Sequence, residues 1–80
     1  MEIYNRISLF RAERGVSRRE LAEAVDVNNQ TIGYLERGDY KPSLELSLKI
    51  AQYFGVSIEM LFSLTPFESI ASTLKRVDSN

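Results

Sequence analysis

The chain has 80 residues, of which 44% are hydrophobic and 26% are charged, as is typical of one small folded domain. Ten basic and eleven acidic residues give a net charge of −1, so any anion-binding surface must come from local placement of charge. The chain has neither cysteine nor histidine, which argues against disulfides, zinc sites and the commonest general base. We therefore expect no metal, no cofactor and no enzymatic activity. Apolar stretches are too short for a membrane helix and the N-terminus has no signal run, which predicts a cytoplasmic protein without a membrane partner.

Capping residues mark the helix starts. Ser17 and Glu20 have the spacing of a capping box, and Asn28, Ser43 and Ser57 each stand before another segment with helical periodicity. Three glycines that accept a left-handed backbone provide the stops, namely Gly15, Gly38 and Gly55. These signals predict helices over 4–14, 17–25, 28–37, 43–54 and 57–63.

Both ends of the chain leave alternatives open. Residues 66–76 carry apolar side chains at helical spacing, which is consistent with either a sixth C-terminal helix or a frayed tail. Ile3–Tyr4 and residues 61–64 are candidates for a short two-stranded pairing. We predict an all-α, compact five-helix domain over residues 1–64, followed by a C-terminal extension over 65–80 that is a candidate dimerisation helix.

The predicted core follows the apolar stripes of the five helices. Glu36 is expected to pair with Arg14. The core residues are Ile7, Phe10, Leu21, Ala22, Val25, Ile32, Leu35, Leu44, Leu48, Ile50, Ala51, Phe54, Ile58 and Leu61.

A tight turn separates the second and third predicted helices, which is typical of a DNA-binding helix-turn-helix. Only Asp26 and Val27 lie between them, and Asp26 tolerates the positive φ that such a turn demands, although less readily than glycine. Ala22 is small enough to lie where the two helices approach most closely.

Residues 17–38, SRRELAEAVDVNNQTIGYLERG, resemble the helix-turn-helix of the phage repressor and Cro-like (XRE-type) family. That family's pattern is S-Q-x-x-L-A-x-x-x-G-V-S-x-x-x-I-x-x-x-E-x-G, followed by K-P and a leucine-rich helix. The match continues through Lys41-Pro42 and covers about residues 5–64. The resemblance implies a five-helix repressor-like domain, usually dimeric, that acts in transcriptional control. Arg18, Asp26 and Asn28-Asn29 depart from the family's usual Gln, Gly and Ser-Arg, so no operator sequence is carried over.

The third predicted helix has an amide-rich face opposite its apolar stripe, as a recognition helix requires. Its Gln and Asn side chains can hydrogen-bond bidentately to adenine in the major groove. Tyr34 suits either a thymine methyl or a phosphate, and Arg18 suits either a phosphate or guanine. Gly33 would let the backbone approach the groove, whereas Asn28 is first an N-cap and only secondarily a phosphate contact. The candidate DNA-binding residues are Arg18, Asn28, Asn29, Gln30, Thr31, Gly33, Tyr34, Arg37 and Lys41.

Local charge favours the same region. Residues 6–19 contain five arginines and one glutamate, a balance of +4, so the basic patch is real but modest. The leading hypothesis is a sequence-specific regulator of double-stranded DNA, most simply a dimeric repressor. Its dimer contacts are expected from the fifth helix and the tail, where Met60 and Phe62 should be the more exposed residues. The candidate dimerisation residues are Ile58, Met60, Phe62, Leu64, Phe67, Ile70 and Leu74.

The alternative hypothesis is a protein-interaction module, such as an antitoxin-like protein that binds and neutralises a partner. It rests on the apolar residues of the C-terminal extension, Phe67, Ile70 and Leu74. Leu9 lies off the core stripe of the first helix and is expected to cover the tail.

Overall fold

A computed structural model describes residues 2–67 and gives an all-α arrangement with one short two-stranded pairing. The predicted sixth helix, over 66–76, lies outside the described residues from residue 68 onward. In chain order the elements are β1 (Tyr4–Asn5), α1 (Ile7–Arg14), α2 (Arg18–Ala24), α3 (Asn29–Arg37), α4 (Leu44–Phe54), α5 (Ile58–Leu61) and β2 (Phe62–Ser63).

The predicted caps begin three of the helices. Ser17 Oγ accepts a hydrogen bond from the backbone N–H of Glu20 at 3.0 Å, and Glu20 Oε1 accepts one from the N–H of Ser17 at 3.1 Å, which completes the capping box. Asn28 Oδ1 caps α3 at 2.9 Å and Ser43 Oγ caps α4 at 3.1 Å. Gly38 ends α3 with φ +78°, in the left-handed region that a side chain disfavours. The starts of α2, α3 and α4 and the end of α3 thus follow the local signals in the sequence, whereas Ser57 precedes α5 without a side-chain cap hydrogen bond.

The two termini of the domain meet in an antiparallel pairing of Tyr4 with Ser63 and of Asn5 with Phe62. The first helix therefore starts at Ile7 rather than at residue 4, and the fifth ends at Leu61 rather than at residue 63. Asn5 fixes this boundary, because its Oδ1 accepts from the N–H of Ile7 at 3.1 Å and its Nδ2 donates to the carbonyl of Leu35 at 2.8 Å.

One hydrophobic core joins all five described helices. Its fully buried side chains come from α1, α2, α3, α4 and α5, so the detachment of any one of these helices would expose apolar surface to water. The core consists of Ile7, Phe10, Leu21, Ala22, Val25, Ile32, Leu35, Leu46, Ile50, Ala51, Phe54 and Leu61.

The predicted face of α4 is wrong at its N-terminal end. Leu44 and Leu48 were expected in the core but are 70% and 51% exposed, whereas Leu46 is 7% exposed. The predicted core residue Ile58 is only partly buried. Ser47 also lies on the buried face, and its hydroxyl donates to the carbonyl of Ser43 at 2.9 Å. A satisfied serine on the inner face and two leucines on the outer face conceal the true periodicity of this helix.

The sequence predicted that Arg14 pairs with Glu36, but in the structure Arg14 connects α1 to α4. Its Nη1 donates to the carbonyl of Phe54 at 2.8 Å, at the C-terminal end of α4. The guanidinium carbon also lies 5.8 Å from the ring centroids of Phe10 and Phe54. Arg14 is therefore part of the fold's support.

The orientation of α4 predicts opposite outcomes for two leucines. Leu46→Ala should lower the free energy of unfolding by about 2–5 kcal/mol, because it leaves a cavity in the core. Leu48→Ala, the matched control, should change it by no more than about 0.5 kcal/mol, because the side chain is exposed. Urea unfolding measures both values, and equal destabilisation by the two variants would contradict the observed face.

Candidate nucleic-acid interface

The α2–turn–α3 unit is built by a short hydrogen-bonded turn and a small buried side chain. The N–H of Val27 donates to the carbonyl of Ala22 at 2.9 Å, and Asp26 takes a positive φ of 59°. Ala22 is buried in the core together with Leu21 and Ile32. The positive φ of Asp26 confirms the turn that the sequence predicted and sets α3 against α2.

The outer face of α3 meets the start of α2 in a shallow cleft of about 230 Å³. We call it the arginine cleft, since it has an arginine at each end. Ile32 and Leu35 lie on the opposite, buried face of α3. The lining residues of the arginine cleft are Arg18, Asn29, Gln30, Gly33, Tyr34 and Arg37. Six of the nine residues that the sequence nominated for DNA binding are therefore together in one place.

Gly33 is buried beneath the side chain of Arg37 rather than open to solvent. A Cβ at Gly33 would lie 3.4 Å from Nη1 of Arg37, an ordinary contact distance, so the Arg37 side chain lies directly over Gly33. The guanidinium carbon of Arg37 is 5.1 Å from the ring centroid of Tyr34, and its Nε donates to Asp39 Oδ2 at 3.2 Å. Arg37 is thus oriented by an aromatic ring and a carboxylate before any ligand binds.

Arg18, at the other end of the arginine cleft, is held by Glu36. Its Nε donates to Glu36 Oε1 at 2.9 Å, while Arg11 donates to both carboxylate oxygens, through Nε at 2.6 Å and Nη2 at 3.1 Å. The Glu36 side chain is 5% exposed, that of Arg11 is 17% and that of Arg18 is 50%. Arg11 also donates to the carbonyl of Val16 at 3.0 Å, so its hydrogen-bond donors are used by intramolecular contacts. Arg18 uses Nε internally, while half of its side chain remains exposed.

Two opposing effects set the protonation of Glu36. Burial on its own raises the pKa of this carboxyl, but the hydrogen bonds and positive charges of Arg11 and Arg18 together outweigh it and hold the pKa below its ordinary value. A carboxyl with a lowered folded-state pKa adds stability above its unfolded pKa, and this stability is lost as the pH falls through the folded pKa. The ion pairs of Glu36 with Arg11 and Arg18 therefore form an acid-sensitive connection between α1, α2 and α3, which we call the Glu36 joint.

Sequence reasoning missed the joint because it paired Glu36 with Arg14. The available signal was position, since Glu36 follows Ile32 by four residues and so lies beside the buried stripe of α3. A carboxylate on that edge needs a charged partner from a neighbouring helix. Arg11 rather than Arg14 reaches it, because Arg14 is directed toward the end of α4.

The other three nominated residues lie outside the arginine cleft. Asn28 is exposed and caps α3 through its side chain. Thr31 is partly buried on the far side of Tyr34, and Lys41 is exposed in the loop that follows α3. The loop thus places Lys41, the third cation among the nominated residues, four residues after the end of α3.

The residues nominated for dimerisation are mixed in exposure. Met60 and Leu64 are exposed, while Ile58, Phe62 and Phe67 are partly buried, and Ile70 and Leu74 lie outside the described residues. Phe62 packs against the core, so the expectation that it would be among the more exposed residues is wrong.

Two further contacts bear on the C-terminal extension. The Phe67 ring centroid is 4.0 Å from the guanidinium carbon of Arg6, and exposed Leu9 lines the same cleft as Phe67. Of the three residues that motivate an antitoxin-like partner, Phe67 is described, whereas Ile70 and Leu74 lie outside the described residues.

Within residues 2–67, no helix is both long enough and apolar enough to cross a bilayer. The same residues contain no group of three or more acidic side chains arranged to hold a metal ion.

Glu36 provides a test of the joint. Glu36→Gln should lower the free energy of unfolding at pH 7 by about 2–4 kcal/mol, because Arg11 loses its charged partner. The variant should also lose less stability than the wild type as the pH falls below the ordinary range of a glutamate pKa, because it lacks the carboxyl whose pKa is lowered by folding. Urea unfolding at several pH values measures both effects.

The matched control is Glu45→Gln, whose carboxylate is exposed and lies 3.2 Å from Lys49 Nζ. It should change stability by less than about 0.5 kcal/mol. An acid limb that is equally steep in Glu36→Gln and in the wild type would contradict the role of Glu36.

Comparison with known proteins gives one consistent family. A protein-family model described as helix-turn-helix matches residues 7–61. A protein of Archaeoglobus fulgidus named as an uncharacterized HTH-type transcriptional regulator is 51% identical over 57 residues, which cover 71% of this chain and 81% of that protein. The cryptic phage CTXphi transcriptional repressor RstR of Vibrio cholerae is 30% identical over 78 residues, which cover 94% of this chain and 70% of RstR.

A solved structure agrees with these relatives. The crystal structure of the restriction-modification controller protein C.AhdI from Aeromonas hydrophila is similar with a TM-score of 0.65 at 27% identity, covering 69% of this chain and 83% of that one. The family match extends from the first residue of α1 to the last residue of α5 and includes the whole arginine cleft. The chain therefore belongs to the XRE-type helix-turn-helix family and is a DNA-binding transcriptional regulator.

Proposed function

We propose that this regulator is a cytoplasmic, dimeric repressor that reads double-stranded DNA by placing α3 in the major groove. The observation that carries the proposal is the two-sided character of α3. Ile32 and Leu35 are buried in the core, whereas Gln30 and Tyr34 are exposed on the opposite side. A helix supported along one side can enter a groove with the other side without disturbing the fold.

The arginine cleft supplies the chemistry for this binding. Gln30 carries an amide that can pair with adenine, and Arg37 carries a guanidinium that is suited to guanine or phosphate. Arg18 is half-exposed at the start of α2, where its guanidinium can bind a phosphate next to the groove. The arrangement supports both base-specific and backbone contacts from one surface.

The same geometry supports a modest electrostatic contribution. Arg11 and Arg14 belong to the basic segment 6–19, but Glu36 and the Phe54 carbonyl occupy them within the fold. Fewer cations therefore remain for phosphates than the sequence count suggests. Since the affinity falls with roughly 0.9 ion per neutralised phosphate, we expect a shallow dependence of binding on salt concentration.

Two features favour a dimer that represses. A single module of this size buries only about 600–1,000 Å² on DNA, and two copies with recognition helices about 34 Å apart double the contact. Met60 and Leu64 provide exposed apolar side chains near the paired termini for such an interface. RstR, similar over nearly the whole chain, is named a transcriptional repressor, and a dimer seated across a promoter would block polymerase.

Two glutamine variants, one in α3 and one in α4 as a control, test whether α3 contacts DNA bases. After selection of bound duplexes from a random pool, Gln30→Ala should weaken binding to the selected duplex by about 1–3 kcal/mol and relax the preference at one base pair. Gln52→Ala, exposed on α4, should leave the affinity unchanged. Titrations at two salt concentrations measure both.

Two outcomes would count against this reading of α3. Equal loss on every sequence would make Gln30 a backbone contact. Failure to select any duplex bound at least about 10³-fold more tightly than random DNA would contradict sequence-specific regulation.

The dimer is tested by charge placed on exposed leucines. Leu64→Glu should shift the mass in sedimentation equilibrium toward the monomer and weaken binding to the selected duplex, because a carboxylate would be buried in the interface. Leu48→Glu, on the exposed side of α4, should keep the wild-type mass. A dimer of equal strength in both variants would exclude Leu64 from the interface.

A further inference from the structure

A second cleft lies on the opposite flank of α3 from Arg18. It has a volume of about 510 Å³ and is lined by Thr31, Tyr34, Asp39 and Tyr40, and we call it the tyrosine cleft. After α3 ends, the N–H of Asp39 donates to the carbonyl of Tyr34 at 2.9 Å, which turns the chain back and sets Tyr40 beside the helix. Tyr40 was not among the residues that the sequence nominated.

The walls of the tyrosine cleft are mainly apolar. Tyr34 and Tyr40 are both exposed and contribute aromatic rings, and Thr31 contributes a methyl-bearing side chain. Asp39 is the one acidic lining residue, and Arg37 donates to its carboxylate at 3.2 Å. That ion pair offsets the negative charge which would otherwise repel a nucleic acid from this cleft.

Tyr34 lines both clefts and therefore forms the ridge between them. A duplex whose base edges contact Gln30 in the arginine cleft would bring neighbouring base edges against the tyrosine cleft. The major-groove edges of the bases carry hydrogen-bonding groups, with one apolar exception, the C5-methyl group of thymine. An apolar cleft at this place fits that methyl group and offers little to the polar edges.

We propose that the tyrosine cleft receives the C5-methyl group of a pyrimidine in the major groove, with Tyr40 and Thr31 completing a contact begun by Tyr34. The proposal rests on the proposed insertion of α3 into the groove. It makes Tyr40 a specificity-determining residue and gives the operator a methyl-bearing pyrimidine at one base pair of each half-site. Thymine and 5-methylcytosine carry the same group and are distinguished in the test.

The experiment replaces the thymines of the selected duplex one at a time by uracil, which removes the methyl group and keeps every hydrogen-bonding group. Burying one methyl group is worth about fourfold in Kd, so a single uracil substitution at the contacted position of one half-site should weaken wild-type binding by about that factor. At the same position, 5-methylcytosine should bind about fourfold more tightly than cytosine if the methyl group alone is read. A thymine-specific contact would instead show the uracil effect alone.

Two protein variants locate the effect. In Tyr40→Ala, thymine and uracil duplexes should bind within about twofold of each other, because one wall of the tyrosine cleft is gone. Tyr53→Ala, which removes an exposed tyrosine from α4, should retain the fourfold discrimination. Melting curves of both variants check that each remains folded, and the uracil scan on the wild type stands without them.

Three results would overturn the proposal. The first is a uracil scan with no sensitive position, and the second is a uracil effect of undiminished size in Tyr40→Ala. The third is a uniform loss of affinity in Tyr40→Phe on all sequences without any uracil effect, which would make the Tyr40 hydroxyl a phosphate contact. If no duplex can be selected at all, the proposed function itself fails, and that result is distinct from the other three.

Discussion

Glu36 holds two guanidinium groups on a carboxylate that is nearly sealed from water, and the three side chains belong to α1, α2 and α3. The desolvation of such a carboxylate is expensive, and the partly buried Arg11, which binds both carboxylate oxygens, offsets more of this cost than the exposed Arg18. The relative positions of the three helices are thereby tied to one group. Because Arg18 also lines the arginine cleft, the ion pair that supports the fold also orients a residue of the candidate binding surface.

The exposed side of α3 has two flanks with different chemistry, and Tyr34 separates them. One flank carries guanidinium and amide groups and suits polar base edges or phosphates. The other carries aromatic rings and a threonine and suits an apolar group. A short helix can thus combine hydrogen-bonded and methyl-directed contacts, provided that its buried side fixes its rotation about its own axis.

Most of the local structure follows from neighbours in the chain. Ser17, Asn28 and Ser43 cap the helices that they precede, and Asp26 makes the turn, because caps and turns depend on groups within about four residues. A terminal strand pairing was one candidate in the sequence, at Ile3–Tyr4 and 61–64, but the observed strands are Tyr4–Asn5 and Phe62–Ser63, where the hydrogen bonds of Asn5 to Ile7 and Leu35 fix the boundary. The resemblance to the XRE-type family further identified α3 as the helix to examine.

The amino-acid sequence by itself determined the helices, the turn between α2 and α3 and the family. Tertiary structure alone decided which face of α4 is buried, because Leu44 and Leu48 are as apolar as Leu46 and only packing against the other helices distinguishes them. It also decided that Glu36 pairs with Arg11 and Arg18, and that Tyr40 lies beside Tyr34. Each of these outcomes depends on contacts between side chains from different elements, and spacing along the chain does not specify which side chains meet.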